Sequence, residues 1–330
     1  MTRTPTAFDS RRRTTMLAAL LATAFAVPAM AQTKFPEKPI TFVVPFAAGS
    51  ATDQLARALG QSVTSDSKQA VVVDNKAGAS GMIAAQAVAR AAADGYTVLI
   101  TTNTTHAANE HLYKKLSYDP VKDFVPVTGL GKGGQVLVVR ADAPYKTVAD
   151  LAAKAKQEPG KLSFGSGSSS SRVAGEMFKQ LTGTEILHVP YKSNPNAITD
   201  LLGGQIDFMI TDTATGVPQV KGGKLRALGV STTKRNPLLP EIPTIDEAGV
   251  KGYDMGYWFA AYVPAGTPAP VVSRLRELLI AGTKSPAAKS FFDSTGSDAW
   301  TTTSDELGKF QLTDAQKWGK VIKAAGIEPE

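Results

Sequence analysis

Short β-branched runs alternate with amphipathic stretches along almost the entire chain. That alternation limits the fold more than any other feature, because strands recurring between helices pack as α/β layers with largely parallel strands. ITFVV from Ile40 reads as the first strand, and the segment after it places Leu55, Leu59 and Val63 on one helical face, with an end expected near residues 60–65. VVVD from Val71 is a second strand, and GMIAAQAVARAAA is a helix turning Met82, Ala85, Val88 and Ala89 inward. DGYTVLIT supplies an Asp-Gly turn and a third strand.

The texture changes at VTGLGKGGQVLVVR, where glycines precede an apolar run and a fresh helix begins at Thr147, so this stretch is read as a crossing into a second lobe. There the strand, small-residue loop and helix recur twice. LSFGSGSSSSRVAGEMFKQLTG sets Val173, Met177, Phe178 and Leu181 on one face and closes at Gly183. In HVPYKSNPNAITDLLGGQIDFMIT, Asn194 is the expected N-cap with Pro195 at the first helical position. Ile198, Leu201 and Leu202 are expected inward there, the helix stops at Gly203-Gly204, and residues 206–210 are a buried strand. YWFAAYVPAGTP then carries the chain back to the first lobe, which helices over 270–282 and 304–325 complete.

The N-terminus has the three parts of an export signal: Arg11 to Arg13, an apolar stretch from Met16 to Val27, and Ala29-Met30-Ala31. Cleavage is expected after Ala31, by the Sec route, since Thr14 and Thr15 stand where a twin-arginine signal prefers bulky apolar residues. The apolar stretch is well short of the ~20 residues that span a bilayer. An exported chain of 330 residues with no cysteine has no disulfide, thiolate metal site or thiol nucleophile. The net charge of +7 falls to +4 once the leader is discounted, with 32 basic against 28 acidic residues. That excess suits a small anion and is too diffuse for nucleic acid.

The loop FAAGS between the first strand and its helix suggests a use for the export. Small residues there leave the first helical N–H groups unpaired and approachable, at a terminus carrying partial positive charge. The serine tract before Val173 repeats the design, and so does the turn before Asn194. Three such termini facing one cleft bind a carboxylate with no catalytic group. Micromolar affinity requires about 8 kcal/mol, and charge-assisted hydrogen bonds give roughly 1.5–3 kcal/mol each, so four or five with cleft closure suffice.

Competing chemistry fits less well. GLGKGG matches a dinucleotide glycine pattern but leads into a strand where a helix is required. Only His106, His111 and His188 exist, none in a zinc-binding arrangement, so neither a metal nor a cofactor is expected. GSGSSSS lacks the spacing of a nucleophile elbow. A secreted serine hydrolase acting on small esters, using residues 168–171 with His188 or His106, is the alternative of another class. Asp53, in the first turn of its helix, is expected mainly as a cap, and Arg172 is poorly placed against its helix dipole unless it meets an anion.

FPEKPITFVVPFAAGSATD, VVVDNKAGASGMIAA, YDPVKDFVPV, FGSGSSSSRVAGEMF, VPYKSNPNAITDLLGGQIDFMITD and IPTIDEAG together resemble one family, the periplasmic receptors of tripartite tricarboxylate transporters, or Bug proteins. The resemblance covers essentially all of the chain after the leader. It implies a type II periplasmic-binding-protein fold of class α/β, with two lobes joined by crossing strands around a cleft. Its implied division is a signal peptide over 1–31, one lobe over 32–131 plus 258–330, and the other over 132–257. It implies Phe46, Ala48, Gly49, Ser50, Thr52 and Asp53 as ligand-binding residues of the first loop. Thr102, Asn103 and Thr104 complete that lobe's wall. Ser166, Ser168, Ser169 and Arg172 fall on the second loop, Tyr191 and Lys192 lie near the third, and Asp212 reaches the cleft. Two departures stand out: Ser50 where relatives often have glycine, and Arg172 where they commonly have histidine. The second points to a dicarboxylate, aliphatic or aromatic, as the ligand. The expected protein is a monomeric, non-enzymatic periplasmic receptor that hands its ligand to membrane transporter subunits or serves a sensor protein.

Overall fold

The computed structural model describes residues Phe35–Glu330 and the first two residues. The expected leader and its cleavage point lie outside the described residues. The order opens with β1 (Ile40–Val44), α1 (Ala51–Ser67), β2 (Val71–Asn75), α2 (Met82–Ala89), β3 (Thr97–Thr102) and α3 (Asn109–Leu112). The long β4 (Phe124–Arg140) leads to α4 (Val148–Gln157), β5 (Ser163–Ser166), α5 (Ser169–Thr182), β6 (Leu187–Pro190) and α6 (Asn194–Leu202). β7 (Phe208–Asp212), α7 (Thr213–Lys221), β8 (Leu225–Val230) and β9 (Gly256–Pro264) follow, then α8 (Ala269–Thr283), α9 (Pro286–Thr295), β10 (Asp298–Ala299) and α10 (Ser304–Ala324).

The strands run β2-β1-β3-β9-β4-β7-β5-β6, with β8 and β10 also paired to β4. β1 lies parallel to β2 and β3, and β5 lies parallel to β6 and β7. Every pairing of β4 or β9 is antiparallel, so the expectation of largely parallel strands gives way to a mixed arrangement. The cause is these two long strands, which run in opposite directions between the parallel groups. β4 pairs with β9 from Phe124 to Gly134 and with β7 from Gln135 onward, so one strand serves both groups.

Local chemistry explains the elements. In α1, Leu55, Leu59 and Val63 are fully buried, and the helix continues beyond its expected stop to a left-handed Lys68. Gly60 does not end it. A Cβ there would lie 3.1 Å from Val71, so the glycine lets α1 pack closely on β2. The glycines of GLGKGG sit inside β4 for the same steric reason: a Cβ on Gly129 would meet the Trp300 ring at 2.6 Å, and one on Gly131 the Phe292 ring at 2.7 Å. Phe164, Phe178 and Phe208 pack together beneath α5, while Val136, Met209, Ile198 and Leu201 close the opposite face. Leu181 and Leu202, expected inward, are 39% and 36% exposed. Both stand in the last turn of their helices, beyond the inward faces formed by Ala174 and Phe178 and by Ala197 and Leu201.

Candidate functional site

Four helix starts and three strand segments line one cavity. From the β1 side come Phe46, Ser50, Ala51 and Thr52, with Thr102 at the end of β3. From the β5 side come Gly167, Ser168 and Ser170, with Asn194 at the start of α6 and Asp212 before α7. Gln135 of β4 and Tyr257 and Phe259 of β9 close the floor. The space leaves about 30 Å³ to the centre of a water-sized sphere, roughly the room of one or two waters or of a carboxylate head.

Local hydrogen bonding fixes these walls. Ser50 caps α1, its hydroxyl accepting from Asp53 N at 3.3 Å, and Ser168 caps α5, accepting from Ser171 N at 3.2 Å. Both caps leave the remaining first-turn N–H groups free of intrahelical partners. Asn194 is no N-cap. Ser193 holds that position, and the Asn194 side chain instead accepts from Gly167 N at 3.0 Å and donates to Asp212 Oδ2 at 2.7 Å. The expectation failed because the side chain found partners in two other loops that are distant in sequence. Asp212 Oδ1 in turn accepts from Thr215 N and Oγ1, each at 2.8 Å, capping α7. Three turns are thereby tied into one wall. Gln135 Oε1, at the floor, is buried with no hydrogen-bond partner within the described residues, and such acceptors are rare and costly unless something polar reaches them.

A second compartment of about 90 Å³ adjoins the first and shares Ser168 with it. Ser80, Tyr113, Ser166, Arg172, His188, Pro190, Tyr191 and Glu330 complete its lining. Arg172 Nη1 lies 2.6 Å from Glu330 Oε1, with the arginine side chain 17% exposed. His188 Nε2 is 2.7 Å from Ser166 Oγ. Burial first, then the charges of Arg172 and Lys179, push the His188 pKa down to about 4, so the ring is neutral near pH 7.

Of the residues expected at the site, Phe46, Ser50, Thr52, Thr102, Ser168 and Asp212 line the first cavity, and Ser166, Arg172 and Tyr191 line the second. The others lie elsewhere. Ala48 and Gly49 are exposed at the loop's outer edge, and Lys192 is exposed as well. Asp53 is 3% exposed and turned toward Arg57, Gly49 and Asn75. Burial raises its pKa, but the hydrogen bonds from those three outweigh burial and hold it below the ordinary value. Asn103 donates to Gly256 O at 3.3 Å, tying β3 to β9, and Thr104 is buried in the turn that follows. Ser169 donates to Asn109 Oδ1 at 2.6 Å, joining α5 to α3. Ala51, Gln135, Gly167, Ser170, Asn194, Tyr257 and Phe259 were not anticipated. A glutamine opening an otherwise apolar run, and two aromatics spaced i and i+2 on one strand face, are the signals that could have found three of them.

Among the described residues none of Ser168 to Ser171 pairs with a histidine, and His188 lies against Ser166 instead. Ser168 Oγ pairs with Ser170 Oγ, Ser169 with Asn109, and Ser171 with Ile210 O. His106 is fully buried, stacked on Tyr262 at 3.9 Å, and lowered by burial to a pKa of about 3. Among the described residues no His, Asp and Glu cluster is arranged to hold a metal, and no helix is long and apolar enough to cross a membrane.

The geometry agrees with comparisons to known proteins. The family described as the tripartite tricarboxylate transporter family receptor matches residues 55–327. A protein from Pseudomonas sp. (strain P51), the UPF0065 protein in the tcbD-tcbE intergenic region, is 35% identical over 315 residues, 94% of each chain. The periplasmic binding protein BugD is 34% identical with a TM-score of 0.86, over 90% of this chain and 100% of BugD. R. palustris Rpa4515 with adipate is 36% identical with a TM-score of 0.86, over 90% of this chain and 100% of that one. The chain therefore belongs to the tripartite tricarboxylate transporter receptor family, whose members are periplasmic solute-binding proteins and not enzymes.

Proposed function

We propose that this receptor captures a small dicarboxylate with one carboxylate in the first cavity and the other toward Arg172. A single observation carries the reading: helix starts from both strand groups, capped by Ser50 and Ser168, line the same small cavity, beside a second compartment that contains a guanidinium. The first cavity has room for a carboxylate head and little more. In this reading the remainder of a diacid extends past Ser168, where the shared wall leads to Arg172. The relative Rpa4515, seen with the diacid adipate, supports a ligand of this class.

In this reading residues 32–131 and 258–330 form one lobe and 132–257 the other. The lobes pivot where β4 passes from β9 to β7, near Gly134, and closure of the cleft signals occupancy. The protein works as a monomer after removal of a leader that ends at Ala31, and passes its ligand to tripartite transporter subunits or to a sensor.

A thermal-shift series of C4 to C8 diacids, aromatic diacids and the matching monoacids tests the reading, with calorimetry on the best pair. Raised melting temperature with the acid recovered unchanged is expected. Arg172→Ala should weaken diacids about tenfold or more and leave monoacids within twofold. Equal loss for both classes, or for neither, refutes the assignment of Arg172.

A further inference from the structure

The Arg172 compartment already contains a carboxylate that belongs to the protein. Glu330 is fastened by its main chain to the end of α3 and the segment after it: its N–H donates to Leu112 O at 3.0 Å, and its main-chain oxygen accepts from Lys114 N at 2.9 Å. From there its side chain reaches across to Arg172, in the first turn of α5, and makes one contact, Nη1 to Oε1 at 2.6 Å. Arg172 Nε stays buried with no partner among the described residues. The pair is also lopsided in burial, with 58% of the Glu330 side chain exposed against 17% for Arg172.

We infer that Glu330 is a specificity-determining residue, an internal carboxylate that holds the Arg172 subsite until the distal carboxylate of a diacid displaces it. The inference rests on the dicarboxylate reading above. A carboxylate tethered through its main chain meets the guanidinium at one nitrogen, whereas a free one that takes the place of Glu330 can pair with two nitrogens together, the unpartnered Nε among them, in the bidentate geometry that arginine favours. Displacement costs little on the glutamate side, because an exposed carboxylate returns to water and exposed ion pairs are weak. It would cost much more on the arginine side if the incoming group were neutral, since the buried charge would lose its counter-ion. Glu330 therefore admits a full carboxylate and resists ligands whose distal end is uncharged. A monoacid, whose apolar tail offers the guanidinium nothing in exchange for Glu330, leaves the pair intact.

The experiment is calorimetry with adipate and hexanoate on the full protein, Glu330→Gln, Glu330→Ala and Arg172→Gln, together with the Glu330→Gln/Arg172→Gln double variant. Both Glu330 variants should bind adipate about two- to fivefold tighter than wild type, with hexanoate unchanged. In the Arg172→Gln background the Glu330 change should have no effect on adipate. Wild type that binds hexanoate, with adipate affinity unchanged or weakened by Glu330→Gln, overturns the inference and leaves the receptor reading standing. Wild type that binds neither acid overturns the dicarboxylate reading, and the inference with it.

Discussion

Replacing Gly167 by alanine tests whether the walls of the cavity are locked together as their geometry requires. A Cβ built on Gly167 falls 1.9 Å from Ser193 C and 2.1 Å from Asn194 N, both main-chain atoms, against 3.4 Å or more for ordinary contact. No side-chain rotation relieves this, so the β5–α5 loop must retreat from the turn before α6 by about 1.5 Å. The retreat stretches the Gly167 N to Asn194 Oδ1 hydrogen bond, now 3.0 Å, and loosens the Asn194 to Asp212 link behind it. Overpacking costs about 1–3 kcal/mol and loss of the buried hydrogen bond about 1 kcal/mol, together about 2–4 kcal/mol. At about 2 °C per kcal/mol for a domain of this size, scanning calorimetry should record a fall in Tm of about 4–8 °C. Titration with adipate should show affinity weakened about tenfold or more, because two lining residues move relative to Ser50. A Tm within about 1 °C of wild type and unchanged affinity would refute the claim that these turns are in backbone contact.

Two further outcomes follow from the caps and the histidines. Ser50→Ala and Ser168→Ala should each cost about 1 kcal/mol in urea unfolding, and the losses should add in the double variant because each hydroxyl caps its own helix and the two share no hydrogen-bond partner; strong non-additivity would show that the two caps are coupled through the cavity they both line. Burial lowers the His106 pKa to about 3 and the His188 pKa to about 4, from an ordinary value of 6.5. The unfolded chain thus binds protons more readily than the native protein between those values. The stability these neutral rings contribute is fully present above pH 6.5 and is lost as pH falls toward 4 and then 3. Unfolding midpoints measured from pH 7 to pH 5 should decline, and His188→Gln should flatten the slope. A midpoint that rises over this range would show the rings charged in the native state.

Much of the architecture is legible in the chain itself because its causes are local. Helical and strand periodicity are set by neighbouring residues, so β1, α1, β2, β3, α5 and the positions of Val63 and Phe178 follow from spacing alone. Capping is equally local, which is why the small-residue loops before α1 and α5 point to exposed amides before any fold is known. The same locality misled at Asn194, where a residue suited to cap its own helix was claimed by Gly167 and Asp212, 27 and 18 positions away. Strand direction around β4 and β9, the glycines that make room for Trp300 and Phe292, and the floor built by Gln135, Tyr257 and Phe259 depend on pairings between segments more than a hundred residues apart. Periodicity carries no information about such pairings. Sequence alone determined an α/β chain in which small-residue loops lead into helices. Only the tertiary structure decided which of those starts meet, and that the guanidinium of Arg172 faces a carboxylate 158 residues along the chain, because burial and charge pairing are properties of proximity in space.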